Sequence, residues 1–239
     1  MSTVRDLWCR LVRTFRERHF SGATREARLL LAKTLSISPS QIYLYWDQTV
    51  SPKRIDKLSS MFEKRLKGIP IQYVLGEWEF FSLNFTMKEG VFIPRLDTES
   101  WLEEALIHLR SHFENQRALV CDLCCGSGII GLTAAYWIPE IEVYALDISE
   151  LAIHLTISNA QKLRILNRIH AIHSDLFQKL NHWSPIQFDV ILTNPPYVRE
   201  DEWDLLSPEI CLHEPKEALV AGSDGLDLIR RILIESPGY

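Results

Sequence analysis

A chain of 239 residues, of which 46% are hydrophobic, can bury a full core and has room for one large domain and one small one. No apolar run approaches the ~18 to 20 residues that span a bilayer, and charges are spread through the N-terminus, where a signal peptide would be apolar. The five cysteines are odd in number and include the adjacent pair Cys124 and Cys125, which is a poor framework for disulfides. These features argue against membrane and secreted classes and predict a soluble, cytoplasmic protein.

The net charge of −5 conceals an uneven distribution. Residues 1–75 carry 14 Lys and Arg against 6 Asp and Glu, a net +8, whereas residues 76–239 carry 12 against 25, a net −13. A basic module beside an acidic one is consistent with an anionic partner for the first. Basic helices with solvated faces would give the same pattern.

The first part of the chain has the apolar spacing of helices. Large apolar residues recur at helical intervals from Leu7 to Phe15, and a later helix is predicted to begin at Pro52 after the N-cap Ser51. Residues 1–75 are therefore predicted to form a small helical bundle.

Residues 76–94 change to aromatic and β-branched residues punctuated by Gly76 and Gly90, which predicts a β-hairpin linker. A helix capped by Asp97 or Thr98 should follow.

Beyond the linker, short apolar runs alternate with helical patterns. The predicted strands are residues 118–123, 141–146, 168–173 and 188–193. This alternation predicts a Rossmann-like α/β domain over residues 95–239, with a parallel sheet between helices. Ligands of such sheets bind at the carboxyl ends of the strands, where the strand order reverses.

A glycine-rich turn follows the first strand of this domain. Gly126, Gly128 and Gly131 form G-x-G-x-x-G at the start of a helix, and Asp147 ends the next strand 19 residues after Gly128. Glycines allow close backbone approach to a ligand, and a carboxylate in that position accepts the two hydroxyls of a ribose. The pattern predicts a nucleoside pocket, although a tight turn without a ligand has the same glycines.

Asp122, just before this turn, favours one nucleoside cofactor over another. A carboxylate near the helix N-terminus repels the pyrophosphate of a dinucleotide, which makes an NAD-dependent oxidoreductase a distant alternative. The same carboxylate suits a ligand that carries an amino group and a sulfonium. S-adenosylmethionine is therefore the predicted cofactor.

The fourth predicted strand ends in Asn194-Pro195-Pro196-Tyr197, a stiff extended segment. The Asn194 side-chain oxygen and the Pro195 carbonyl can accept the two N–H bonds of a planar NH₂ group. Tyr197 can stack on that group. This geometry suits methyl transfer to an amide or an aromatic amine, although N-P and P-P pairs also mark ordinary turns.

Two spacings in the sequence resemble metal-ligand patterns. Cys121 and Cys124 are separated like a zinc pair, but no second pair follows and Cys121 lies within a predicted strand. His108 and His112 have no third ligand in a recognised pattern. We therefore expect no metal.

Several longer segments resemble the HemK or PrmC family of protein-(glutamine-N5) methyltransferases, which modify the glutamine of the GGQ motif in peptide chain release factors. They run in the order of that family from about residue 70: PIQYVLG with EWEF, FIPRLDTE, DLCCGSG, ALDIS, SDLF, the NPPY segment and EPKEALVAGSDGL. NPPY is shared with adenine-N6 methyltransferases, whereas the segments at 94–99 and 214–226 are more specific. The resemblance implies a class I S-adenosylmethionine-dependent fold and class 1 release factors as partners, with no direct DNA binding.

The resemblance also implies roles for individual residues. The glycine-rich turn would line the methionine and ribose end of the cofactor, and Leu176, after Asp175, would lie against the adenine. Arg95, Thr98 and Glu99 would lie at the mouth of the site. Together with the interpretation of Asp122, the expected cofactor-binding residues are Asp122, Cys124, Cys125, Gly126, Ser127, Gly128, Asp147, Asp175, Leu176 and Asn194. The expected catalytic residues are Asn194, Pro195 and Tyr197, and the expected substrate-binding residues are Asn194, Pro195, Pro196, Tyr197, Arg95, Thr98 and Glu99.

Two departures from the family pattern leave alternatives open. Gly-Thr is usual where this chain has Cys124-Cys125, which is expected to change cofactor affinity. Family members continue with further strands beyond the position of Tyr239, so we expect a domain shortened at its C-terminus whose fourth strand has an open edge. The alternatives are a nucleic-acid adenine-N6 methyltransferase, which the basic residues 1–75 would suit, and a catalytically silent S-adenosylmethionine-binding protein.

Overall fold

The computed structural model describes residues 2–113, 116–182 and 186–239. The chain divides into two compact units, Met1–Leu75 and Gly76–Tyr239. Among the residues described, no helix is both long and apolar enough to cross a membrane.

The first unit is helical, as its apolar spacing predicts. Its elements are α1 (Val4–Glu17), α2 (Ala23–Leu35), a 3₁₀ helix (Pro39–Tyr45), α3 (Pro52–Leu66) and α4 (Ile71–Leu75). Thr3 and Asp6 form a capping box at the start of α1, and Ser51 precedes α3 as its N-cap. The unit also encloses an ion pair, in which Arg65 Nε lies 2.6 Å from Glu26 Oε2.

A two-stranded antiparallel hairpin opens the second unit. Its strands are β1 (Glu77–Phe80) and β2 (Leu83–Thr86). Phe81 and Ser82 form the turn with φ values of 48° and 59°, the left-handed conformation that tight hairpin turns require. Phe80 and Phe85 are buried in the core of this unit, so the hairpin is packed against the domain.

Helix α5 (Leu96–His112) follows the linker, and here the predicted cap is wrong. The N-cap is Arg95, in an extended conformation, and its carbonyl accepts the Thr98 N–H at 3.1 Å. Because the helix starts at Leu96, Asp97 and Thr98 both lie within its first turn and neither acts as the cap. The N-cap is two residues before Asp97 and three before Thr98.

The central sheet has four parallel strands. They are β3 (Ala118–Leu123), β4 (Ile141–Asp147), β5 (Ile169–His173) and β6 (Val190–Thr193), in the spatial order β5-β4-β3-β6. The chain moves outward from β3 to β5 and then returns to place β6 on the other side of β3, so the strand order reverses between β3 and β6. Polar ligands of open α/β sheets bind at such a reversal.

The remaining helices are α6 (Ile129–Trp137), α7 (Glu150–Lys162), α8 (Pro208–His213) and α9 (Asp227–Glu235). The buried residues of β3, β4 and α6 form the main apolar core of this unit, with Val120, Val143 and Leu132 fully enclosed. The observed parallel α/β layer agrees with the fold class expected from the alternating pattern.

Candidate active site

A cavity of about 690 Å³ lies at the carboxyl ends of the sheet strands. Its volume is in the range of small-molecule and cofactor sites. Each strand of the sheet contributes its last residue or the residues that follow it: residues 123–127 at the end of β3, residues 147–149 at the end of β4, residues 174–176 after β5, and Asn194 with Pro196 after β6. The cavity is therefore where the parallel topology predicts a ligand.

The turn after β3 brings backbone directly to the cavity wall. Gly126 and Gly128 have φ values of 56° and 76°, in the left-handed region that glycine tolerates. A Cβ on Gly128 would lie 2.7 Å from Thr156 Cγ2, so no larger residue fits there. Cys124 has the same left-handed conformation, with φ 59°, although it carries a side chain. The turn of this chain thus contains one strained residue at the cavity.

Asp122 lies behind this turn, away from the wall of the cavity. Its side chain is fully buried, and Oδ2 accepts the N–H of Gly131 at 2.8 Å. Burial raises the pKa of Asp122 to about 7, and the hydrogen bond from Gly131 opposes part of that rise. Asp122 is absent from the cavity lining, so the direct cofactor contact expected from the sequence is not what this geometry supports. The residue instead holds the start of α6 against β3.

Asp147 ends β4 at the wall of the cavity. Its Oδ2 accepts the N–H of Gly126 and its Oδ1 accepts the N–H of Ser149, both at 2.8 Å. Burial raises the pKa of this carboxyl, and the two hydrogen bonds counteract the rise. Each oxygen keeps a second lone pair that can accept a ligand hydroxyl.

Two polar residues of α7 support the glycine turn, and no role for them follows from the sequence. Asn159 is fully buried: its amide nitrogen donates to the Ser127 carbonyl at 3.0 Å, and its oxygen accepts the Thr86 N–H at 2.7 Å. Thr156, also fully buried, donates to the Gly126 carbonyl at 3.2 Å. The available sequence signal was two polar residues on the apolar face of a helix.

The NPPY segment leaves β6 beside the glycine turn. Thr193 pairs with Leu123 across the two strands and donates its hydroxyl to the Leu123 carbonyl at 2.8 Å. Asn194 therefore lies next to Cys124, and both line the cavity. Pro195 and Tyr197 are outside the lining, and the Tyr197 side chain is 58% exposed, where it is accessible to a large substrate.

The chain after Pro215 holds the NPPY segment in place. The N–H groups of Tyr197 and Val198 both donate to the Leu219 carbonyl, at 3.0 and 2.8 Å, and Ala221 N–H donates back to the Val198 carbonyl at 3.0 Å. A Cβ on Gly225, which has a φ of 73°, would lie 2.3 Å from the Tyr197 carbonyl oxygen. Close backbone contact thus explains a glycine in the segment at 214–226.

The three residues expected at the mouth of the site are placed differently from one another. Thr98 lines the cavity, whereas Arg95 and Glu99 do not. Arg95 Nη2 donates to Glu214 Oε1 at 2.7 Å, and its guanidinium lies 4.9 Å from the centre of the Phe92 ring.

The surroundings of the cysteines near the cavity favour the thiol over the thiolate. Burial, and after it the charge of Asp147, raises the pKa of Cys124 to about 12. Burial also raises the pKa values of Cys121 and Cys125 well above their ordinary range. These shifts disfavour a role for the three thiols as nucleophiles.

Helix α9 completes one wall of the cavity, which was not expected from the sequence. Asp227, Leu228 and Arg231 all line it. Arg231 Nη2 donates to Asp175 Oδ1 at 3.0 Å, so α9 is joined to the segment after β5. No motif marks this contact, because it joins residues that are 56 positions apart in the chain.

Comparisons with known proteins agree with this architecture. The methyltransferase small domain model matches residues 82–224, and the PrmC N-terminal domain model matches residues 6–76. The release factor glutamine methyltransferase of Clostridium botulinum is 36% identical over 211 residues, which cover 88% of this chain and 73% of that protein. The human MTRF1L release factor glutamine methyltransferase is 37% identical over 220 residues, which cover 88% of this chain and 63% of that protein.

Among solved structures, the Thermus thermophilus 16S rRNA N2 G1207 methyltransferase, in complex with AdoMet and guanosine, is 24% identical over 51% of this chain and 32% of that one. The TM-score is 0.40.

The sheet, the cavity and the matched domain define an enzyme of the methyltransferase class, and the class I fold expected from the sequence is confirmed. The match extends through both units of the chain. The chain belongs to the release factor glutamine methyltransferase family.

Proposed function

We propose that this protein transfers a methyl group from S-adenosylmethionine to the side-chain amide nitrogen, N5, of the glutamine in the GGQ motif of peptide chain release factors. The observation that carries the proposal is the position of Asn194, which lies beside the glycine turn and on the wall of the same cavity. An amide-binding residue at that point can bring a planar NH₂ group next to a bound cofactor.

The residues of the cavity fit S-adenosylmethionine. When bound, this cofactor supplies an electrophilic methyl group on a sulfonium. The two oxygens of Asp147 are oriented by backbone N–H groups and remain able to accept the ribose hydroxyls. Leu176 is a buried apolar residue of the lining and provides a surface for the adenine ring. Residues 124–128 would hold the methionine and ribose end.

Asn194 and the prolines would orient the substrate. The Asn194 side-chain oxygen and the Pro195 carbonyl would each accept one N–H of the glutamine amide. These two bonds would hold the nitrogen with its lone pair facing the cofactor. Pro196 is buried, and the segment is tethered to Leu219, so the acceptors keep one geometry. The exposed Tyr197 would stack on the substrate.

The substrate itself would be a class 1 release factor. The basic residues 1–75 belong to the unit matched by the PrmC N-terminal domain, and we assign substrate recognition to that unit. Residues 76–94 would act as the linker and residues 95–239 as the methyltransferase domain.

The direct test is transfer of label from tritiated S-adenosylmethionine to a purified release factor. We expect label in the intact factor and none in a variant whose GGQ motif is changed to GGA. Equal labelling of the GGA variant, or labelling of DNA or RNA alone, would refute the glutamine assignment.

The role of Asn194 has its own test. Asn194→Ala should lower the transfer rate by an amount equivalent to about 2 to 4 kcal/mol, because a positioned acceptor is lost from the transition state. The affinity for S-adenosylhomocysteine, measured by calorimetry, should change little. Asn84→Ala is the matched control, because Asn84 is exposed in the hairpin and outside the cavity lining. Wild-type turnover in the Asn194 variant would remove that residue from the mechanism.

A further inference from the structure

Two segments that line the cavity are joined to each other by a group of polar contacts. The first, residues 89–95, leaves the hairpin, and the second, residues 213–222, follows α8. Glu214 Oε2 accepts the N–H of Ile93 at 3.1 Å, and Glu214 Oε1 accepts the Arg95 guanidinium at 2.7 Å. Beside them, His213 Nδ1 lies 3.1 Å from Glu89 Oε1.

The Glu214 side chain is at the centre of this group. It is 2% exposed, against 34% for Arg95, and both of its oxygens have partners. A carboxylate that is removed from water needs such partners, because an unpaired charge in this position is strongly unfavourable. The two contacts are therefore structural requirements of Glu214 and fix the position of the residues that follow it.

Those residues tether the C-terminal end of the NPPY segment, which carries the acceptors of the proposed methyl transfer. Five residues after Glu214, the Leu219 carbonyl accepts the N–H groups of both Tyr197 and Val198. Arg95 is thus connected to the NPPY segment by its contact with Glu214, by the five residues of chain from Glu214 to Leu219, and by the hydrogen bonds of the Leu219 carbonyl. The cofactor side of the cavity depends on other contacts, chiefly those that Asn159 makes with the glycine turn.

We propose that Glu214 is a positioning residue for methyl transfer, and that Arg95 acts through Glu214 and not by contact with the substrate. The inference rests on the proposed function, because it assigns the alignment of the glutamine amide to an ion pair outside the cavity lining, of which only Glu214 is buried. It also replaces the substrate-binding role that was expected for Arg95. The segments at 94–99 and 214–226, which carry the more specific part of the family resemblance, would then act together to position the NPPY segment.

Steady-state kinetics with a release factor test the proposal. Glu214→Ala should lower kcat by about 30-fold or more, because the acceptors lose their alignment, while the KM of the release factor changes by less than about threefold. The affinity for S-adenosylhomocysteine should also stay within about threefold. Arg95→Ala should lower kcat by a smaller factor, and the double variant should be no slower than Glu214→Ala, because both act through one contact. The matched control is Glu142→Gln, which removes a carboxylate paired with His170 outside the cavity lining.

Several outcomes would overturn the proposal. A raised KM in Arg95→Ala that multiplies with the effect of Glu214→Ala would assign Arg95 to the substrate. Wild-type kcat in a folded Glu214→Ala protein, or a loss of cofactor affinity as large as the loss in kcat, would end the positioning role. If Glu214→Ala does not fold, the kcat values of Glu214→Gln and Arg95→Ala test the proposal instead, since each variant keeps one of the two contacts of Glu214. Wild-type kcat in both would refute the inference.

A second measurement is independent of activity. Amide hydrogen exchange should be faster by about tenfold or more at Tyr197 and Val198 in Glu214→Ala, because the carbonyl that accepts their N–H groups loses its fixed position. Exchange in residues 124–128 should match the wild type. Failure of the wild-type enzyme to label release factors would refute the proposed function. Unchanged exchange at Tyr197 and Val198 would refute the positioning role alone.

Discussion

Replacing Asp122 with asparagine is expected to make the stability of this protein less dependent on pH. Asp122 is fully buried, and burial raises its pKa from 3.8 to about 7. A carboxyl group whose pKa is raised by folding favours the folded state fully only below about pH 4, where it is protonated in both states. That contribution is lost as the pH rises through about 7. Asparagine keeps an oxygen that can accept the Gly131 N–H, and it does not titrate.

The magnitude follows from the two pKa values. Each pH unit between them costs about 1.36 kcal/mol of unfolding free energy, so the full interval corresponds to about 4 kcal/mol at pH 8. Between pH 5 and pH 8, the wild type should lose about 3 kcal/mol more than the variant. The variant has a cost of its own, because its NH₂ group would lie where Oδ1 has no hydrogen-bond partner among the described residues. That cost is about 1 to 3 kcal/mol. We therefore expect similar stabilities at pH 5 and a more stable variant at pH 8.

Urea unfolding followed by tryptophan fluorescence at pH 5, 6, 7 and 8 measures this difference. Asp204→Asn is the control, because Asp204 is an exposed carboxylate outside the cavity lining. A carbon-13 titration of the Asp122 carboxyl group should give a midpoint near 7. Parallel pH profiles for the wild type and Asp122→Asn, or a midpoint near 4, would refute the reasoning from burial.

Three further predictions concern backbone and polar contacts around the cavity, and all are measured by thermal unfolding. Gly225→Ala should lower stability by at least about 2 kcal/mol, because its Cβ would lie 2.3 Å from the Tyr197 carbonyl oxygen; a wild-type melting temperature would contradict that contact. Cys124→Gly should be about 1 kcal/mol more stable than Cys124→Ala, since only glycine relieves a φ of 59°, and equal stabilities would mean that the turn is unstrained. Asn159→Ala should lose about 3 kcal/mol together with some affinity for S-adenosylhomocysteine, because the Ser127 carbonyl loses its donor. A melting temperature lowered by less than about 3 °C would not support that role.

The spacing of the apolar residues and the residue types in each run were enough to predict the parallel sheet. The run at 118–123 forms β3 as predicted, because continuous apolar residues suit a central parallel strand that is buried on both faces. The fourth predicted strand, 188–193, is two residues too long. Asp189 N–H donates to the Leu119 carbonyl at 2.9 Å, but the Leu119 N–H donates to the Asp189 side chain at 2.8 Å, and β6 begins at Val190. A side-chain acceptor at the start of a strand has no signature in periodicity.

The site was predicted as separate motifs, and the contacts between motifs were not. The glycines of the turn and the carboxylate at the end of β4 are marked by local sequence patterns. Residues 124–127 and Asp147 line the cavity, whereas Gly128 does not. Asp122 was expected beside the ligand because it is close in sequence to that turn. Its position within β3 instead directs the side chain into the interior, since residues of a strand alternate between faces.

The contact between Arg95 and Glu214 joins two segments that resemble the family in sequence but whose contact with each other could not be predicted from the sequence. The two residues are 119 positions apart, and each lies in a segment whose local pattern predicts little more than a helix start or a turn. The strand order brings them together: because β6 returns to the side of β3, the chain that follows it must pass the chain that enters α5. A buried carboxylate at that crossing requires a cation and a backbone donor, and the first segment supplies both through Arg95 and Ile93. Substitution of Arg95 would leave the buried Glu214 carboxylate with the Ile93 N–H as its other partner, so the second segment depends on both contacts from the first.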